Sequence, residues 1–323
     1  LLPALVAADD YRIATFAAPL SRDGPGLLLR DIHKGEDAQI AAVQQVIAHI
    51  APDVLLLTDF DYDLDGAALA GFGAMFGDAF PYNFAAQPNT GLQTGLDMDM
   101  NGRLGEARDA QGYGRFAGDG GMAVLSRYPV LAANTDLSAL LWRDVPGATL
   151  PADFYSPAVL ATQRLSTTGH WVVTIGLPDG AFDLLAFSAT PPVFDGPADR
   201  NGLRNRDELR LWELYLNGNY GEPPDSFVIA GNANLDPEGG DGLSDAMARF
   251  LADPQLVDPL PGQPTADWDD EGPGNLRVSY VLPSVDWQVV DAGVYWPAPD
   301  AGLLGNDGMA AGPHHLVWVD IAR

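Results

Sequence analysis

Cysteine is absent from the 323 residues, which excludes disulfides, thiol nucleophiles and thiolate metal sites. Lysine is nearly absent: Lys34 stands alone, and Lys+Arg total 17 against 44 Asp+Glu, a formal net charge of −27. No cluster of arginines relieves that imbalance, so nucleic acid is an unfavourable partner and no phosphate-backbone groove is expected. Long apolar runs are missing too. None approaches the ~18 residues that a membrane-spanning helix needs, so no membrane span is expected. What is present is enough apolar residue, 47% of the chain, to bury a large core. No internal repeat and no shift of composition marks a linker, so residues 9–323 are expected to form a single domain. Residues 1–8 end in Val6-Ala7-Ala8 ahead of Asp9, a pattern similar to the tail of a signal peptide. They are expected to be a signal-peptide remnant or an N-terminal arm, with the protein extracytoplasmic, periplasmic or secreted.

Two helix-then-strand units stand out. Residues 37–50 place Ile40, Val43, Val46, Ile47 and Ile50 at helical spacing before Pro52, and residues 53–57 follow as a short apolar strand. Residues 207–216 read as an amphipathic helix broken by Gly218, with the apolar strand 227–230 after it. Strands that are apolar on both faces belong in a covered sheet. Further strands are predicted at 11–17, 121–125, 171–175, 182–187, 276–282, 289–296 and 315–321, separated by Pro/Gly/Asp-rich stretches. The alternation implies a layered α/β architecture.

The segments YRIATFA, PDVLLLTDFDYD, GRFAGDGGMAVLSRYPV, TPPVFDGPADRNGLRNRDELRLW, GNANLDP, LRVSYVLPS and GPHHLVWVD occur in that order between Tyr11 and Asp320. Together they resemble the endonuclease/exonuclease/phosphatase superfamily, with the DNase I-like fold, and its exported bacterial members in particular. The resemblance implies a four-layer α/β sandwich of two packed mixed β-sheets flanked by helices, with catalytic groups on loops at one edge. It also implies phosphoester hydrolysis, by a phosphatase or nuclease, with a divalent cation such as Mg²⁺.

Carried onto this chain, the pattern is incomplete. The Asn expected after the first strand's aromatic residue is Ala17, the metal-binding Glu is Asp59, and the His before the TPP segment is Ser188. In GNANLDP the signature Asp is Asn232, while Asn234 is kept. The Asp that would orient the terminal His is Ser279, and Pro313 replaces the Asp beside the surviving His314. A hard dication needs carboxylate oxygens to offset its dehydration, and carboxylates are missing at 232, 279 and 313. An amide at 232 cannot take a proton from attacking water. Without an acidic partner, His314 has nothing to hold it cationic against a phosphate.

Other residues offer alternatives. Asp59, Asp61, Asp63 and Asp65 alternate along DFDYDLDG and would share one face of an extended strand, either as a metal site or as a solvated acidic loop. Asp97, Asp99 and Asn101 form D-x-D-x-N-G, where alternating oxygens and a glycine suit a structural Ca²⁺ or an Asx-rich turn. Glu106 or Asp109 could complete that set. Arg200 and Arg204 could hold an anion or brace a loop-to-helix junction. Residues 137–142 (LSALLW) could be a partner-facing patch or a cover for a sheet edge. Three functions follow: a catalytically degenerate binding or assembly protein, an active divalent-metal phosphoesterase with a rearranged site, or a subunit of an extracytoplasmic complex with a protein or small-molecule partner.

Overall fold

The apolar runs predicted as strands are apolar on both faces because each sheet is covered on both sides. The computed structural model describes residues 10–132, 134–269, 271–298, 303 and 310–323; the signal-peptide expectation for residues 1–8 lies outside them. In the first half come β1 (Tyr11–Leu20), α1 (Leu27–Lys34), α2 (Ala38–Ile50), β2 (Val54–Phe60), α3 (Ala67–Ala74), β3 (Tyr82–Phe84), β4 (Gly121–Ser126), β5 (Thr135–Asp136) and α4 (Pro157–Thr162). The second half adds β6 (Gly169–Leu177), β7 (Gly180–Ser188), α5 (Arg200–Leu216), β8 (Phe227–Asn232), α6 (Ser244–Leu251), β9 (Ala266–Asp267), β10 (Asn275–Leu276), β11 (Ser279–Pro283), β12 (Gln288–Val294) and β13 (Val317–Ala322).

Two mixed sheets result, one in the order β12-β13-β1-β2-β4-β3 and the other β11-β8-β7-β6-β5. Within them β1 runs parallel to β2 and β7 parallel to β8, while the remaining pairs are antiparallel. Alternate side chains serve different cores. Val54 and Leu56 of β2 meet Val228 and Ala230 of β8 between the sheets. Leu55 and Leu57 point outward to Ile40, Val43 and Ile47 of α2. Phe227 and Ile229 point the other way, to Leu209, Trp212 and Phe250 of α5 and α6. Helix, sheet, sheet and helix therefore stack as the four layers of an α/β sandwich.

Local chemistry sets the helix boundaries. Asp37 caps α2 by accepting the Ile40 N–H at 2.8 Å. Helix α5 starts at Arg200, seven residues before the predicted start at 207. Its first two turns bury Arg204, Asn205 and Asp207, and those polar residues hide the helical period. The predicted strand 276–282 is divided: Leu276 pairs with Ala266 in a two-stranded ribbon, and the sheet strand begins at Ser279. Residues 137–142 are not a partner-facing patch. Leu137 and Trp142 are buried in the α5-side core, and Trp142 Nε1 donates to Asp207 Oδ2 at 2.7 Å.

Candidate functional site

At one edge of the sandwich the ends of β1, β2, β7 and β8 surround a cleft of about 590 Å³. Six of the eight positions marked by the sequence face it: Ala17, Asp59, Ser188, Asn232, Asn234 and His314. Strand register assembles them. Ala17 lies beside Thr58 across β1 and β2; Ser188 lies beside Asn232 across β7 and β8, and Ser279 lies beside Asn232 on the other side. Pro313 and Ser279 stand behind the cleft wall rather than on it. The Pro313 carbonyl accepts the Asp267 N–H at 2.8 Å.

Asp59 reaches the cleft through a bulge. The ladders that β2 forms with β1 and β4 both shift register around it, and its φ of 63° is left-handed, a conformation that Asp tolerates better than most residues. The carboxylate opens onto the cleft solvent, yet protein crowds it on its other sides. That crowding pushes its pKa up from 3.8 to about 7; a Ser21 hydrogen bond opposes the rise, and the charges of Asp61 and Asp119 add to it. Water that reaches the group from the cleft screens its charge and tempers the rise. Asp61 is itself buried and raised to about 6, chiefly by desolvation.

The acidic run 59–65 does not converge on a cation. Asp61 accepts the Arg22 and Gly120 N–H groups at 2.8 and 3.0 Å, and Asp63 accepts those of Ala67 and Ala68, both at 2.7 Å, at the start of α3. Asp65 is exposed. Backbone donors thus hold both oxygens of Asp61 and both of Asp63. Among the described residues, the acidic and histidine side chains whose ligand atoms come within 4.8 Å of one another as a group of three are Asp97, Asp99 and Asp109, on a different loop. There Asn101 turns its NH₂ to Asp99 and Glu106, at 3.0 and 2.7 Å, and its Oδ1 to the Arg103 N–H. Asp109 takes the place that the sequence pattern gave to Asn101.

Residues 231–234 are both a turn and a site. Asn232 Oδ1 accepts the Asn234 N–H at 3.1 Å, and Asn234, itself left-handed at φ 51°, donates through Nδ2 to the Ala189 carbonyl at 2.8 Å. Gly231 precedes them because β8 passes so close to β7 that a Cβ there would lie 1.9 Å from the Phe187 carbonyl oxygen. His314 packs against the edge of Trp268, with ring centroids 5.2 Å apart. Among the described residues its buried Nδ1 has no hydrogen-bond partner, and neither has Ser279 Oγ, so no hydrogen bond joins the two. Burial, helped by neighbouring His315, pushes the His314 pKa down to about 4.

Arg204, a candidate anion ligand, is engaged elsewhere. Its Nε and Nη2 donate to the carbonyls of Leu165, Gln111, Arg164 and Ser166 at 2.6 to 3.1 Å, bracing the loop behind the cleft. Arg200 keeps a buried Nε without a partner and stacks over Phe154 at 5.6 Å. Thr58, Tyr155, Thr190 and Phe194 also line the cleft, although no site role was expected of them. Thr58 lies near the end of β2, Thr190 and Phe194 lie in the TPPVFDG segment, and Tyr155 comes from a separate loop. Phe194, with 80% of its surface exposed and φ 69°, is the one of these that composition alone could have flagged, as an aromatic residue in a Pro/Gly/Asp-rich loop.

The two packed mixed sheets with flanking helices and an edge cleft define the α/β sandwich of the DNase I-like class. Residues 32–311 match the family model described as "Endonuclease/Exonuclease/phosphatase family", and the chain belongs to that family. No curated protein matches the sequence. Among solved structures, an endonuclease/exonuclease/phosphatase from Beutenbergia cavernae is similar with a TM-score of 0.60 at 19% identity, over 97% of this chain and 71% of that one. A family member from Bacteroides vulgatus gives 0.55 at 12%, over 97% and 98%. Sphingomyelinase C from Streptomyces griseocarneus gives 0.52 at 14%, over 98% and 100%. At these identities the likeness is one of fold.

Proposed function

We propose that the protein is a catalytically degenerate member of the endonuclease/exonuclease/phosphatase family that keeps the edge cleft as a binding site for a small polar ligand. The observation that carries this reading is the cleft's charge inventory. Asp59 is the single carboxylate among the described residues lining it, and crowding raises its pKa, so it is a weaker anion than an ordinary aspartate. The family's divalent cation does not fit this donor set: one weakly acidic carboxylate, two amides already engaged in a turn, a serine and a neutral imidazole do not offset the dehydration of Mg²⁺. The neutral His314, without an acidic partner, offers no positive charge to a phosphoryl group.

What the cleft does offer is hydroxyl and amide groups from Thr58, Thr190 and Asn201, the exposed Phe194 ring at its rim and the partly unpaired guanidinium of Arg200. That mixture suits a hydroxyl-rich molecule that is neutral or carries one negative charge. An extracytoplasmic location belongs to the same proposal, motivated by the Val6-Ala7-Ala8 stretch; recovery in the cytoplasmic fraction of cells expressing a full-length precursor would count against it.

The test of degeneracy is hydrolysis of a phosphomonoester and a phosphodiester with Mg²⁺, Mn²⁺ or Ca²⁺. The expected result is no turnover above background. Turnover that Asn234→Ala or His314→Ala removes would overturn the proposal in favour of an active phosphoesterase with a rearranged metal site. A thermal-shift screen of neutral polyols and monoanions addresses binding: hits that Asn201→Ala or Arg200→Gln weakens are expected, and hits indifferent to both changes would place the ligand elsewhere.

A further inference from the structure

One wall of the cleft is the loop that carries Met98, Arg108 and Ala110, and behind that wall three carboxylates meet. Asp97, Asp99 and Asp109 each bring an oxygen within 4.8 Å of the other two. The loop is closed on itself: Asp97 accepts the Asn101 and Gly102 N–H groups at 3.0 and 2.7 Å, and Asp109 accepts those of Met98 and Glu106 at 2.9 and 3.0 Å. Asp99 differs. Its side chain is only 5% exposed, and among the described residues its buried Oδ1 has no hydrogen-bond partner. Asn101 Nδ2 donates to the other oxygen, Oδ2, at 3.0 Å, and Arg108, whose side chain is 55% exposed, also reaches only that oxygen, at 3.8 Å. A buried carboxylate oxygen left without a donor beside two further carboxylates is an unfavourable arrangement unless a cation completes it.

We propose that Asp97, Asp99 and Asp109 form a site for a divalent cation of calcium's size, seated in the wall of the cleft. Carboxylates set on a loop with a left-handed Met100, φ 60°, and a left-handed Gly102, φ 85°, give the adaptable oxygen cage that calcium accepts, whereas magnesium demands stricter octahedral geometry and keeps its waters. The cation meets the Asp99 charge that Arg108 now faces, so it competes with that guanidinium. Occupancy thereby couples to the cleft, because Arg108 and Met98 both line it. The inference stands whether or not the cleft catalyses anything.

The test uses the full chain stripped with chelator, titrated calorimetrically with CaCl₂ and separately with MgCl₂, with hydrogen exchange followed across the loop. One calcium site is expected, with a Kd of roughly 10⁻⁵ to 10⁻³ M and at least about tenfold preference over magnesium, together with slowed exchange over residues 94–110. Asp99→Asn should weaken binding at least about tenfold, since the amide keeps the shape and loses the charge. Asp97→Asn serves the same purpose if that variant does not fold. Arg108→Gln should leave affinity equal or tighter, and Asp65→Asn, on an exposed acidic loop, should leave it unchanged. No saturable binding at millimolar calcium, binding indifferent to Asp99→Asn and Asp97→Asn, weakening by Arg108→Gln or by Asp65→Asn, equal affinity for magnesium, or exchange unaltered over residues 94–110 would overturn the proposal.

Discussion

Asp59→Asn should stabilise the protein at neutral and higher pH while leaving it unchanged in acid. The rise of the Asp59 pKa from 3.8 to about 7, at 1.36 kcal/mol per tenfold, sets a ceiling of about 4 kcal/mol. Solvent in the cleft screens the charge, which reduces the expected effect to about 1–2 kcal/mol. The sign follows from proton binding. The folded state holds a proton that the unfolded chain has released between about pH 4 and pH 7, so wild-type stability falls as pH rises through that window. The asparagine variant has no such proton, and its side chain tolerates the left-handed backbone at 59 as Asp does. Urea unfolding with chelator present, at about pH 4 and about pH 8, should therefore show no difference between the two proteins in acid and a gain of about 1–2 kcal/mol for the variant in base. The repulsion within a chain of charge −27 affects both nearly equally and cancels in the comparison. A variant that is less stable at the higher pH, or a difference that does not change with pH, would refute the assignment of Asp59 as a crowded carboxylate without a cation.

Three more outcomes are expected. The His314 imidazole, lowered to about 4 by burial, should stay neutral by NMR down to about pH 5 and should make folding less favourable as pH falls from about 6.5 toward 4, because the unfolded chain takes up the proton first; titration near or above pH 6.5 would contradict its enclosure. Arg204→Met should cost about 2–3 kcal/mol in chemical denaturation, since it leaves the Leu165 carbonyl without its donor, takes one donor from each of three more carbonyls and removes the positive charge near the buried Glu208, and a cost below about 1 kcal/mol would make Arg204 a ligand contact again. Gly231→Ala should destabilise by about 2–4 kcal/mol through its clash with the Phe187 carbonyl, and a neutral substitution would mean that β7 and β8 can separate there.

The fold was legible where burial is one-dimensional. Runs such as Val54 to Leu57 and Phe227 to Ala230 are apolar at every position because a sheet covered on both faces asks nothing else of them. The start of α5 was not legible, because Arg204, Asn205 and Asp207 face inward and are satisfied by partners distant in sequence. Helix α3 was missed for the opposite reason: AALAGFGA is apolar nearly throughout and shows no polar face. At the site, family spacing located Asp59, Ser188, Asn232, Asn234 and His314, because strand ends fix those positions in space. Residue pattern alone put the third oxygen donor of the 97–109 loop at Asn101 where the structure brings in Asp109, and it could not show how the 59–65 carboxylates are engaged. Which oxygens are already taken by backbone N–H groups depends on turns that residue type alone does not determine.

Asn232 holds its turn with a side-chain oxygen that accepts the Asn234 N–H, and for that bond the oxygen need not carry charge. The backbone is therefore nearly indifferent to whether an amide or a carboxylate stands there. An exchange between the two changes the chemistry of the cleft and keeps the turn's hydrogen bond, so the geometry of the turn exerts little selection against it in either direction. Position 232 is one where a protein of this fold can lose, or regain, a negative charge in a single step without first having to rebuild the loop that presents it.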